Sequence, residues 1–355
     1  MVKMAEDEGI LMGGTLTQKL TLKADVVYEL TGSFLVGEGG ELHIPAGTVI
    51  KANEGFANYI LVLQGGKIFA KGTAEKPVTM TSSSKKPQQG AWGGLIINGK
   101  APITNGGTFS TEVNSDYKYG GDKPDDNSGV LTYLKLEYTG ARASADIEHN
   151  GLTLNGVGNG TKIENIYIPY AADDGIEFFG GTVNVTNLLV VDSDDDMFDF
   201  TQGYRGTLKN CYGIWQKGYE SGESDPRGIE ADGNHDGKSP DAAYQSDFTV
   251  ENMTIDLRLD PKTDEGFYMH DVIKVRRGAK ATIKNALIIG QGQAKDLIDM
   301  TDKLGNGNPE TVIDITTKLT TPLMDKEING EAKVTFKDDN TGCPTDIFGW
   351  TGYEF

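Results

Sequence analysis

Apolar and polar residues alternate along most of this chain, in short segments rich in β-branched and aromatic side chains that are broken by Gly, Asn and Asp. Period-two alternation of that kind predicts many short strands, and long helical periodicity is nearly absent. The segments repeat. Asn or Asp, any residue, apolar, polar, apolar occurs at Asn150-Gly151-Leu152-Thr153-Leu154, Asp174-Gly175-Ile176-Glu177-Phe178 and Asp196-Met197-Phe198-Asp199-Phe200. It returns at Arg227-Gly228-Ile229-Glu230-Ala231 and Asp271-Val272-Ile273-Lys274-Val275. A second pattern centres on an Asn between two strand segments, at Asn165, Asn187, Asn210, Asn252 and Asn285. Those Asn residues are 22, 23, 42 and 33 positions apart. The first two spacings set the period; the longer ones require inserted loops, at 216–247 and 256–268.

A unit of about 22 residues holding two or three short strands cannot bury its apolar side alone, whereas stacked copies bury a continuous core. The expected fold is therefore all-β: a right-handed, single-stranded parallel β-helix. Alternation turns Ile176 and Phe178 inward and Glu177 outward. The recurring Asn fits an internal ladder of side-chain amides bonded from coil to coil. A related pattern fills the N-terminal part, from Glu41-Leu42-His43-Ile44-Pro45 through Ile60-Leu61-Val62-Leu63 to Trp92-Gly93-Gly94-Leu95-Ile96. No linker interrupts it, so residues 1–355 are expected to form one domain. Residues 10–35 are expected to be an N-terminal cap, 36–299 the coils, and 300–355 a C-terminal cap hiding the last open sheet edge.

With 52 acidic against 33 basic residues the net charge is −19, which disfavours nucleic acid as a partner and suits divalent cations and neutral or cationic ligands. No apolar run is long enough for a transmembrane segment, and the start Met-Val-Lys-Met reads as an initiator before a mature sequence without an export signal. Cys211 and Cys343 match no metal-ligand spacing, leaving a disulfide or two buried thiols open.

Several motifs resemble a family of secreted right-handed β-helix proteins, mostly surface lipoproteins of Bacteroidetes-type bacteria. They include Leu42-His43-Ile44-Pro45-Ala46-Gly47-Thr48, Trp92-Gly93-Gly94-Leu95-Ile96, Asp126-Asn127-Ser128-Gly129, Asp173-Asp174-Gly175-Ile176-Glu177-Phe178-Phe179-Gly180-Gly181 and the ending Phe348-Gly349-Trp350-Thr351-Gly352-Tyr353. The resemblance implies an extracellular or outer-membrane location, with membrane association through a lipid anchor that this chain does not carry. It implies no particular reaction.

The main chemical feature is the stacked acids. If the 22-residue register holds, Glu177 lies beside Asp199, and Asp173 and Asp174 beside Asp195 and Asp196, at ~4.8 Å between coils. Asp173, Asp174, Asp195, Asp196 and Asp199 are the expected metal ligands, and Ca²⁺, which takes several hard oxygen ligands, is the expected cation. The same Asp residues also suit turn capping through local N–H groups. Paired carboxylates suit polysaccharide cleavage, which makes Glu177, Asp199 and Glu230 the catalytic candidates for a glycoside hydrolase or lyase. The polygalacturonase-like Asn-Thr-Asp, Gly-His-Gly and Arg-Ile-Lys motifs are absent. Lys274, Arg276 and Arg277 are candidate lyase bases expected to sit coils away from the acids. Tyr204, Tyr212, Trp215, Tyr219 and Tyr244, in or beside the long insertion, are expected to stack on a glycan; packing of the loop is the alternative. His235 is a polar loop histidine that could join a metal site, while His43, His149 and His270 are too scattered for zinc. The functional expectation is a surface protein binding an extracellular ligand, a glycan first, with a polysaccharide-active enzyme and a structural adhesin as alternatives.

Overall fold

The computed structural model describes residues 9–144 and 147–355; the opening Met-Val-Lys-Met lies outside them. Twenty-four strands join through parallel pairings into one right-handed β-helix. Each coil contributes a strand to three stacked sheets. The first sheet runs from Lys19–Thr21 through Glu41–Pro45 and Lys67–Lys71 into the leading halves of the longer strands Gly129–Leu136, Lys162–Pro169 and Val185–Val191. The trailing halves of those strands stack above Val49–Ala52 and Val78–Ser82 as the second sheet. The third sheet stacks Tyr59–Val62, Leu95–Asn98, Leu152–Asn155, Ile176–Phe179, Phe198–Thr201, Arg227–Asp232, Tyr268–Arg276 and Gln293–Asp299. All five copies of the first sequence pattern lie in this third sheet.

The corner between the first and second sheets is a single residue with positive φ. Asn165, Asn187, Asn210, Asn252 and Asn285 occupy it with φ between 54° and 61°. Asn tolerates that left-handed conformation better than other residues with a Cβ, because its short amide bonds locally. Here the bonds run between coils. Each Nδ2 donates to the Oδ1 of the Asn one coil below, at 2.8–2.9 Å. The ladder forms as the spacing predicts, but along the half-buried outer corner rather than inside, because the turn aims the amides away from the core.

Inward residues form one core from Leu11 to Ile315. The rings of Phe178, Phe200 and Phe248 stack through it, with centroids 5.2 and 4.2 Å apart. Cys211 is buried in this core, whereas Cys343 belongs to a separate apolar cluster on the outer face, and both are free thiols.

Three expected boundaries shift. Residues 10–35 make coil rather than a cap, since Ile10–Leu16 pairs in parallel with Val27–Val36. Residues 216–247 are not wholly an insertion, because Arg227–Asp232 within them is a third-sheet strand, and Asp247–Leu257 carries the strand on to residue 257. Residues 300–355 add further strands, Val312–Leu319 and Lys333–Phe336, before the chain turns back along the side of the solenoid. There Cys343 and Phe348 cover Tyr167, Leu189, Val191, Tyr212 and Ile214, the outward apolar residues of the second sheet. This segment covers a face, not an end.

Two antiparallel hairpins leave the solenoid. Phe109–Thr111 pairs with Asn114–Tyr119, and Arg142–Ser144 with Ile147–Glu148. Among the described residues no helix is long and apolar enough to cross a membrane.

Candidate functional site

The outward face of the third sheet carries the chemistry. Pleating places Thr153, Glu177, Asp199, Glu230, Lys274 and Asp299 in one row, each the register partner of the next. Between them the inward residues Ile176, Phe198 and Ile229 anchor the strands in the core, so the row cannot slip without turning every side chain over. The 22-residue repeat therefore becomes a stack of carboxylates spaced by one strand separation, ~4.8 Å.

The row is not open surface. The hairpin at 109–119, Glu148 from the second hairpin, and His235 and Asp236 wall a cleft of about 430 Å³. Glu177, Asp199 and Glu230 form its floor, with Asn150, Thr153 and Thr201 beside them. Phe109 is half-exposed at the rim, its ring centroid 4.7 Å from that of His235.

Burial decides the electrostatics. Desolvation, then the neighbouring Asp199, pushes the Glu177 carboxyl well above the usual carboxylate range, although Asn150 Nδ2 donates to it at 2.6 Å. Asp199 is raised by burial and by Glu230 and Asp232, partly offset by the neighbouring Glu177 and by Arg276. Glu177 and Asp199 are register partners, so ionising both would place two negative charges one strand apart in a buried site.

Beside the cleft stand Asp173, Asp174, Asp195 and Asp196. Their register is the predicted one, and Asp196 N donates to Asp174 Oδ1 at 3.0 Å. Burial, then Glu230, pushes Asp195 up to about 8, with Arg227 opposing. Burial followed by a neighbouring aspartate raises Asp173, Asp174 and Asp196 as well. Carboxylate oxygens come within 4.8 Å of one another in three overlapping groups: Asp173–Asp174–Asp195, Asp174–Glu177–Asp199 and Asp196–Asp199–Glu230. Backbone N–H groups of the next coil satisfy Asp192, which accepts Gln216 N, and Asp194, which accepts Gly222 N. Asp195, Asp196 and Asp199 each keep a buried Oδ1 without a hydrogen-bond partner. A buried unsatisfied carboxylate oxygen is costly, and a hard cation would satisfy several at once.

Higher up the stack the protein supplies its own cations. Arg227 bonds Asp225, Glu230 and Asp271, and Arg276 bonds Glu230 and Asp232. Arg277 Nη1 lies 2.6 Å from Asp232, and Lys274 Nζ 2.5 Å from Asp299. Arg276 is thus not coils away from the acids, as expected from the sequence; it contacts Glu230 and lines the same cleft, as does Arg277.

The aromatic expectation needs the larger correction. Tyr204 is fully buried against Phe178 and Phe200, with its hydroxyl donating to Val183 O. Trp215 is fully buried in the core and donates to Ser193 O. Tyr212 lies under the C-terminal segment, and the Tyr219 hydroxyl is held by Asp194. The Tyr244 ring is covered by the Arg205 guanidinium at 4.0 Å. None of the five lines the cleft; they pack loops and core. The aromatic rings that line the cleft are Phe109, which is exposed, and the buried Tyr119 and Phe179. A signal was present: Leu95 and Leu152 are register partners 57 residues apart, whereas Leu152 and Ile176 are 24 apart. The excess chain between them has to leave the solenoid, and Gly106-Gly107 and Gly120-Gly121 bracket where it does.

The sequence model of a family described as a pectate-lyase-like β-helix domain matches residues 14–352. No curated protein and no solved structure matches the chain significantly.

Proposed function

The chain belongs to the pectate-lyase-like β-helix family, and from that premise we propose that its third-sheet cleft binds a segment of an extracellular glycan while the adjoining aspartates hold Ca²⁺. Family membership is compatible with carbohydrate binding or action on polysaccharide. The observation that carries the reading is the walled cleft itself, which puts acidic and amide groups on the floor and a half-exposed phenyl ring at the rim. Convergent polar groups in a concave site bind sugar hydroxyls, and an aromatic face packs on a pyranose ring. Asp173, Asp174, Asp195 and Asp196 would supply the cation with oxygen ligands, and a bound cation would let these carboxylates ionise together. Action at a cell surface or outside the cell belongs to the same proposal.

The test is a screen of immobilised glycans, repeated after EDTA and after Ca²⁺ is restored, alongside melting curves. Binding to a defined glycan class, with a melting temperature raised by Ca²⁺ in the wild type and not in an Asp195→Asn/Asp196→Asn variant, is expected. Absence of glycan binding would leave a structural role. A melting temperature unmoved by Ca²⁺ or EDTA removes the cation.

One observation favours a second reading. Glu177 and Asp199, register partners in one cleft with both carboxyls raised by burial, are a carboxyl pair of the kind that acid–base cleavage of a glycosidic bond uses. Incubation with polysaccharides and assay for new reducing ends or unsaturated products tests it. Product release that Asp199→Asn leaves intact would rule this pair out.

A further inference from the structure

We infer that the glycan accepted by this cleft carries free amino groups: a cationic amino-sugar chain docks an ammonium over Glu177 and Asp199. The inference rests on the glycan-binding reading above and specifies its ligand. The outward row of the third sheet already contains one ammonium. Lys274 Nζ sits 2.5 Å from Asp299 Oδ2 and 3.8 Å from Asp271 Oδ2, between carboxylates of successive coils. Two and three positions down the same row, Asp199 and Glu177 are carboxylates of successive coils without such a cation. Among the described residues no ion pair reaches either of them, whereas Glu230 and Asp232 are matched by Arg227, Arg276 and Arg277.

The floor also holds unspent acceptors. Asp199 Oδ1, Asn150 Oδ1 and Asn155 Oδ1 are buried, line the cleft and have no partner. An ammonium offers three donors and one positive charge, which matches the acceptors and the charge deficit together. A neutral sugar would meet the acceptors and leave the charge. A uronic acid would add a negative charge beside carboxylates that no ion pair matches. The aspartates proposed for Ca²⁺ lie outside the cleft lining, and Asp174 comes within 4.8 Å of the Glu177 and Asp199 oxygens. The Phe109 ring and the hydroxyls of Thr153 and Thr201 favour a sugar over a cationic peptide.

The test is calorimetric titration of the whole protein with a glucosamine tetramer and with its fully N-acetylated counterpart, each after EDTA and with Ca²⁺ restored. The amino form is expected to bind at least tenfold more tightly in both conditions. A Glu177→Gln/Asp199→Asn variant is expected to lose the preference; should it not fold, the wild-type comparison of the two tetramers still decides. Equal affinity for both, or equal binding of a tetralysine peptide, overturns the inference. Binding of other glycans but neither tetramer overturns the inference and leaves the broader reading, whereas failure of every glycan removes both.

Discussion

Asp195 shows at the scale of one residue how burial becomes pH dependence. Its carboxyl rises from 3.8 to about 8, so between those values the folded protein binds a proton that the unfolded chain has released. Stability from such a group is fully present below the unfolded value and is lost as pH rises through the folded one. Asp173, Asp174, Asp196, Glu177 and Asp199 shift in the same direction. Asp271 runs the other way: burial acts to raise it, but His270, Lys274 and Arg227 hold it below the usual range. Its contribution is present above the unfolded value and disappears only in acid. The raised groups outnumber it, so in EDTA the melting temperature should fall steadily from about pH 5 to about pH 8. Added Ca²⁺ should flatten that slope by stabilising the ionised forms. A melting temperature that climbs with pH across this window in EDTA would contradict the assignment of buried, proton-holding carboxylates.

The asparagine corner illustrates what a single element contributes. Asn210 holds φ at 55°, donates to Asn187 and accepts from Asn252. Asn210→Ala removes both side-chain bonds, each worth about 1 kcal/mol net, and places a Cβ without local compensation in the left-handed region at about 1–2 kcal/mol. A loss of roughly 2–4 kcal/mol in denaturant unfolding is expected from these terms. Asn210→Gly keeps the backbone comfortable and should lose less. If the two variants unfold alike, the corner conformation is not what the Asn residues provide. Because coils interact chiefly with their neighbours, the damage should centre on the adjoining coils, visible as faster amide exchange there.

Over the whole molecule, the C-terminal segment binds distant coils together. Thr351 O accepts from Lys135 Nζ at 2.7 Å, and Cys343 N donates to Thr254 Oγ1 at 3.0 Å. Deleting residues 338–355 would uncover Tyr167, Leu189, Tyr212 and Ile214 on one strip. Each large apolar side chain exposed costs about 1.5–3 kcal/mol, and an uncovered apolar strip on parallel strands invites association. The truncated chain should melt at lower temperature and elute as larger species in size-exclusion chromatography. An unchanged melting temperature and monomeric elution would make the segment dispensable.

Much of this was written in the chain before it folded. The spacing of Asp174-Gly175-Ile176-Glu177-Phe178 and Asp196-Met197-Phe198-Asp199-Phe200 determined that these stretches are strands, that they stack, and that Glu177 meets Asp199. A two-residue alternation tied to a 22-residue repeat leaves one register that keeps every Ile and Phe inside. The spacing of Asn165, Asn187 and Asn210 likewise determined the ladder, though not the side of the corner it lies on. What covers the stack was decided only in three dimensions. Nothing periodic marks the hairpin carrying Phe109, and nothing local distinguishes its exposed ring from that of Tyr204, which the core absorbs. The same cover turned a row of outward acids into the floor of a cleft, because the burial that raises their pKa values comes from chain far away in sequence.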